Sequence, residues 1–300
     1  MSGPLFFRRG SGFTVPELAD LTGAKVAESP AIDRRLTDIA AVDRAGPNDI
    51  TFVDEAAGND TLRLTQAGAC FVRAEFADDV PHRTAALVVE DPCKSFVTVA
   101  AALYPDAQRP SSLFEVRGTA PGAFVHPTAR IETGVTIDPA AMVGPRAEIG
   151  SGTHVGPMAV IGPEVRIGRD CSLGAGVSLT NALVGDGVVI EPGCRIGLAR
   201  EMAGPQVKRR PWLGRAILQD KVVVGANSVI DRGSERDTII GEGTMVNALV
   251  QIPADAMIGR YCRISAGDHR DAAGDIDMES DGLHLFASQL VRGDVTRAEG

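Results

Sequence analysis

The chain has 300 residues, 44% of them hydrophobic, 23% charged and 4% aromatic, the balance of a globular protein with room for two domains. Its net charge of −9 argues against a nucleic-acid partner, because a polyanion is repelled unless a basic patch overrides the global field. With 34 glycines and 18 prolines, the composition favours short strands and many corners over a thick aromatic core.

Residues 1–11 read as an extension. Leu5, Phe6 and Phe7 form a run too short for a secretory core, and no uncharged stretch is long enough to span a bilayer, so a cytoplasmic protein is expected. Residues 12–105 read as a small α/β domain. Thr14 and Glu17 make a capping box with Pro16 in the first turn, predicting a helix through Leu18 and Leu21 that ends near Gly23. Apolar runs at Ala69–Val72 and Ala86–Val89 predict buried strands, and Ser95–Tyr104 carries apolar residues at helical spacing. Residues 106–119, with Pro110, Ser111 and Ser112, have linker composition.

A strict period of six then begins. Aliphatic residues stand at Val125, Ile131, Ile137, Val143, Ile149, Val155, Ile161, Ile167, Leu173 and Leu179, and small or β-branched residues such as Ala129, Val135 and Ala141 follow four places later. Self-similarity at a fixed short period predicts a parallel β-helix over residues 120–265, in which flat strands stack at about 4.8 Å and aliphatic side chains point inward. Glycines after the aliphatic positions, from Gly144 to Gly174, are assigned to tight corners. The period slips by one at Val184. It is interrupted over Leu198–Arg215 and Arg232–Asp237, where loops should leave the coil. Residues 266–300 form an acidic tail, helical or irregular, in which Leu283, Phe286, Leu290 and Val291 make a stripe that could cap the open end of the solenoid.

The five cysteines lack any C-x-x-C pair and read as reduced, buried residues. His126 is expected to hydrogen-bond at the first coil and His154 to occupy an outer corner. Neither has a partner at ligand spacing, so no metal site is expected, and His82 and His284 carry no signal. Lys208, Arg209 and Arg210 form the densest basic run, beside the sole tryptophan, Trp212. An acidic protein or a phosphate could dock there, although a solvated face explains the run as well. Asp231 and Arg232 read as a structural pair between coils or subunits.

Several segments together resemble the UDP-3-O-(3-hydroxyacyl)glucosamine N-acyltransferases of lipid A synthesis: AGPNDITF (Ala45–Phe52), ALVVEDP (Ala86–Pro92), APGAFVHPTA (Ala120–Ala129), LQDKVVVGANSVIDRG (Leu218–Gly233), DTIIGEGT (Asp237–Thr244) and LVQI (Leu249–Ile252). The resemblance implies a left-handed helix, a homotrimer, an acyl carrier protein as donor and a nucleotide-recognising amino-terminal domain. It implies no cofactor. It implies substrate contacts from Phe52, Asn247 and Gln251.

Transfer of an acyl group to a sugar amine needs a base, and histidine suits that task. The family places one in D-N-L-V-Q-I-x-H-N; this chain reads Asn247-Ala248-Leu249-Val250-Gln251-Ile252-Pro253-Ala254-Asp255, so Ala254 stands at the base position. His269 is the one displaced candidate, and it reads better as a solvated loop residue. The family's glycine-aromatic sugar loop should follow Gly197 but is replaced by Leu198-Ala199-Arg200-Glu201. No aromatic residue follows Phe52 within Val53–Leu62 to complete a uracil clamp, which argues against a UDP-sugar ligand, and the later acyl-accepting coils are replaced by residues 266–300. The expectation is an impaired acyltransferase, the alternative a non-catalytic trimeric binding or regulatory subunit.

Overall fold

In the computed structural model, which describes residues 6–27, 33–54, 59–199 and 211–265, the chain divides into two units, residues 1–108 and 109–300. The first is a five-stranded sheet flanked by helices. Its strands are β1 (Lys25–Val26), β2 (Asp38–Ile39), β3 (Asp49–Val53), β4 (Ala69–Val72) and β5 (Ala85–Val88) in the order β1-β5-β4-β3-β2, parallel except for β1 against β5. The central strands read as nearly unbroken apolar runs because both faces are covered. Ile50, Phe71 and Leu87 pack on one side with Val15, Leu18, Val99 and Leu103, while Val53, Cys70 and Val72 pack on the other with Leu62 and Phe76.

Helix α1 (Val15–Thr22) is set by its capping box: Glu17 N donates to Thr14 Oγ1 and Thr14 N to the Glu17 carboxylate, and Gly23 ends it at φ 71°. A short helix, α2 (Asn59–Leu64), follows β3. Helix α3 (Pro92–Leu103) starts three residues before the expected Ser95, because Asp91 accepts from Lys94 N at 2.8 Å and Pro92 fills the first helical position. One cysteine departs from the expected burial: Cys93, in the first turn of α3, is exposed.

The second unit is a left-handed parallel β-helix of seven coils. Every third strand stacks into one of three seven-stranded faces. Face I runs from Phe124–Val125 to Gln251–Ile252, face II from Arg130–Ile131 to Met257–Ile258, and face III from Thr136–Ile137 to Arg263–Ile264. In an uninterrupted coil a residue pairs with the one 18 positions on, as Glu148 does with Arg130 and Arg166. Both the aliphatic positions and the small residues four places later point inward, and from Val135 to Ile264 they form one continuous core.

The glycines have a different reason from the one expected. Gly156 follows its aliphatic residue at an ordinary φ, but a Cβ there would lie 2.7 Å from Leu173 O in the next coil. Close stacking, not corner dihedrals, excludes side chains at such positions. The left-handed corner residue comes two places later. It is glycine at Gly122, Gly176 (φ 66°) and Gly193 but Ala140, Met158, Asn227 and Leu249 in the other coils of the same column, where alanine, methionine and leucine bear the roughly 1–2 kcal/mol cost of that conformation.

Residues 109–118 lie against face III as a strap. Arg109 donates to Asp170 O at 2.7 Å, Ser172 Oγ donates to Pro110 O, and Ser112 Oγ donates to Asp138 Oδ1 at 2.5 Å. Gly118 then leads into the first coil, where Ile137 N donates to its carbonyl at 2.8 Å.

Candidate functional site along one corner of the solenoid

Stacking brings distant segments to one edge. The corner between faces I and II is Thr180–Asn181 in the fourth coil, one residue short, which accounts for the slip at Val184. In the fifth coil the same corner is the long excursion from Gly197 to Arg215, in the sixth it is Arg232–Asp237, and in the seventh it is Pro253–Asp255. Gly197, where the sugar loop is expected to begin, the DRG segment and Ala254, expected at the position of the base, therefore lie in consecutive coils of a single column.

Short contacts tie the column together. Gly197 (φ 85°) packs so tightly that a Cβ would fall 1.5 Å from Thr180 O, and its carbonyl accepts from Thr180 Oγ1 at 3.1 Å. Leu213 N donates to Ser234 O at 3.0 Å and Arg232 N to Leu198 O at 2.9 Å. The guanidinium of Arg215 grips Asp237, with Nη2 2.6 Å from Oδ2. Those side-chain hydrogen bonds, with one from Arg215 N, hold the Asp237 carboxyl below its ordinary range.

Ala254, the residue expected at the position of the base, carries no proton acceptor in its own side chain. It is half-buried in the last corner. Its neighbour Asp255 (φ 63°) accepts from Ser234 N at 2.8 Å and from Ser234 Oγ at 2.5 Å, while its own N–H donates to Thr238 Oγ1 at 3.0 Å. Burial pulls the Asp255 carboxyl upward, but the bonds from Ser234 and from Arg236 N, with the Arg236 charge, prevail and lower its pKa. A carboxylate so satisfied is a weak base. Asp255 serves as a clamp between two coils.

Gln251 stands on face I in the last coil, and Asn247 directly follows the face III strand Met245–Val246. Gln251 is exposed in its strand, and Asn247 Nδ2 donates to Ser265 Oγ at 3.0 Å. Trp212 is half-buried at the end of the long excursion, whereas Lys208, Arg209, Arg210 and His269 lie outside the described residues. Asp231 is buried, and Arg232 Nε is buried without a hydrogen-bond partner. In the other unit Phe52 turns into the sheet–helix core, its ring centroid 4.8 Å from that of Phe96 on α3.

His154 departs from its expected corner. It stands in a strand of face III, its Nε2 3.1 Å from Oδ2 of the fully buried Asp138. Because a carboxylate only accepts, Nε2 is the donor of this bond, and Nδ1 is buried without a hydrogen-bond partner. The pair escaped the sequence reading because coil stacking alone makes residues 138 and 154 neighbours. His126 hydrogen-bonds locally as expected, its Nδ1 accepting from Thr128 N at 3.2 Å.

Such a solenoid with loops gathered on one edge defines the class of hexapeptide-repeat transferases, and the bacterial transferase hexapeptide profile matches residues 128–163 and 146–181. A second profile, UDP-3-O-(3-hydroxymyristoyl) glucosamine N-acyltransferase, LpxD, matches residues 33–102. A UDP-3-O-acylglucosamine N-acyltransferase of Azorhizobium caulinodans is 50% identical over 88% of this chain and 75% of its own length. One of Methylorubrum populi is 49% identical over 89% of this chain and 77% of its own. The structure of a UDP-N-acetylglucosamine acyltransferase from Arabidopsis aligns over 50% of this chain and 53% of its own, at 18% identity and a TM-score of 0.37. The chain belongs to the UDP-3-O-acylglucosamine N-acyltransferase family, acyltransferases of lipid A biosynthesis. Among the described residues no helix is long and apolar enough to cross a membrane.

Proposed function

We propose that this chain is a catalytically impaired member of its family. The family reaction moves a 3-hydroxyacyl group from acyl carrier protein to the 2-amine of UDP-3-O-acylglucosamine. The observation that carries the reading is the last corner, where Ala254 cannot take a proton and the adjacent Asp255 is already committed to Ser234. General base catalysis is worth about 10²–10⁴ in rate, and its loss sets the scale of the impairment. Phe52, Asn247 and Gln251 are the residues assigned to any retained sugar-nucleotide contact. Lys208, Arg209, Arg210 and Trp212 are assigned to an acidic partner such as acyl carrier protein. The protein acts in the cytoplasm.

A second reading is a non-catalytic binding or regulatory homotrimer; the trimer, common to both readings, is supported by face II. Its outward row carries Leu183, Ile217, Ile239 and Met257 in the fourth to seventh coils, where the first three coils carry Arg130, Glu148 and Arg166. An aliphatic row on a flat sheet suits burial against another copy. Turnover of 3-hydroxyacyl carrier protein and UDP-3-O-acylglucosamine by purified protein tests the proposal. A rate equal to that of an intact relative would sink it, and a total absence of turnover and substrate binding would leave the second reading.

A further inference from the structure

We infer that residues 109–118 form a releasable strap, and that the Ser112–Asp138–His154 cluster, built around the buried Asp138, is the latch that sets the length of tether joining the two units. The inference is independent of whether acyl transfer survives.

The anchoring has an unusual composition. Between Arg109 and Arg117 no backbone-to-backbone hydrogen bond joins the strap to the solenoid among the described residues. Side chains carry the anchors of Arg109 on Asp170 O, Ser172 on Pro110 O and Ser112 on Asp138. Ser112 also organises the strap itself, its Oγ accepting from Phe114 N at 3.3 Å and Val116 N at 3.0 Å. Leu113 and Phe114 point to solvent, so apolar burial adds little. Asp138 is fully buried, and its two oxygens are divided between Ser112 and His154.

The surface beneath the strap matches this reading. The outward row of face III is Thr136, His154 and Ser172 in the coils the strap crosses, then Val189, Val223, Met245 and Arg263 beyond it. Lifting the strap uncovers polar groups that water can satisfy, which keeps local opening inexpensive. The strap runs from the third coil back to the first, along about two coil spacings, or ~10 Å. Freed, its roughly ten residues span up to ~35 Å. Latched, the amino-terminal unit is tethered at the third coil; unlatched, it is tethered at Gly118.

Hydrogen exchange and a spin-label distance test this in the full chain. Ser112→Ala should speed exchange at Phe114 and Val116 at least tenfold and leave inter-coil amides such as Gly156 and Val160 unchanged. For distances, one label goes on Cys93, the exposed native cysteine, and one on Met158→Cys. Both Ser112→Ala and the milder Ser172→Ala should broaden the distribution relative to the parent. Unchanged protection and width in both variants would overturn the inference, as would acceleration of the solenoid amides together with those of the strap.

Discussion

Two glycines twenty residues apart separate the physical causes of the repeat. Gly156→Ala places a methyl group 2.7 Å from Leu173 O, 2.8 Å from Gly174 C and 2.9 Å from Ala175 N, all backbone atoms of the next coil. Relief requires the coils to part by about 0.7 Å, in a sheet whose neighbouring bond, Gly156 N to Leu173 O, measures 2.8 Å. Overpacking against groups that cannot rotate away should cost about 3 kcal/mol. Gly176→Ala meets nothing within 4 Å and suffers only from its φ of 66°, about 1–2 kcal/mol. Urea unfolding followed by far-UV circular dichroism reads both, with the slope checked for constancy so that midpoint shifts report stability. Equal losses, or a larger loss at Gly176, would refute close stacking as the reason for the glycine column and restore corner geometry in its place.

Ala254→His alone should raise turnover less than about tenfold, short of the full contribution of a base, because the sugar loop is still replaced; steady-state kinetics with the natural substrates decide. The Asp255 carboxyl is depressed in the folded chain, so its contribution is present above the ordinary value of 3.8 and fades as pH falls through the folded value. Ser234→Ala should therefore lower stability at neutral pH and flatten its decline in acid, and identical acid limbs for variant and parent would contradict this. Trp212 should report partner docking: titration with holo-acyl carrier protein should shift its emission, and Lys208→Glu with Arg209→Glu should abolish the shift. A shift of the same size in the double variant would remove the basic run from the proposal.

Much of the solenoid was legible because its inward side chains recur at six residues without any dependence on distant sequence. The amino-terminal sheet was less so. β1 and β2 contribute two residues each, too few for alternation to register, and β3 alternates between two cores, which masks its strand character. The candidate site was legible as separate motifs and illegible as a place. Ala254, Gly233 and Gly197 share a corner only once coils are counted, and excursions of different length hide that count. Asp255 illustrates what sequence alone leaves open: its identity shows a carboxylate beside Ala254, but only Ser234 and Arg236 show that the carboxylate is occupied.

The unequal corners between faces I and II have an evolutionary consequence. An insertion within a strand would displace every later side chain from its stacked partner, whereas one placed at that corner leaves the pairing of the following coil intact. Three corners on this edge already differ in length from the rest, a shorter one at Thr180–Asn181 and two longer ones in the next two coils, while the strands on either side keep their pairing. That edge is where the lineage can gain or lose segments without refolding the whole, and a short peptide grafted between Pro145 and Arg146 should be carried as readily as the excursions nature placed above it.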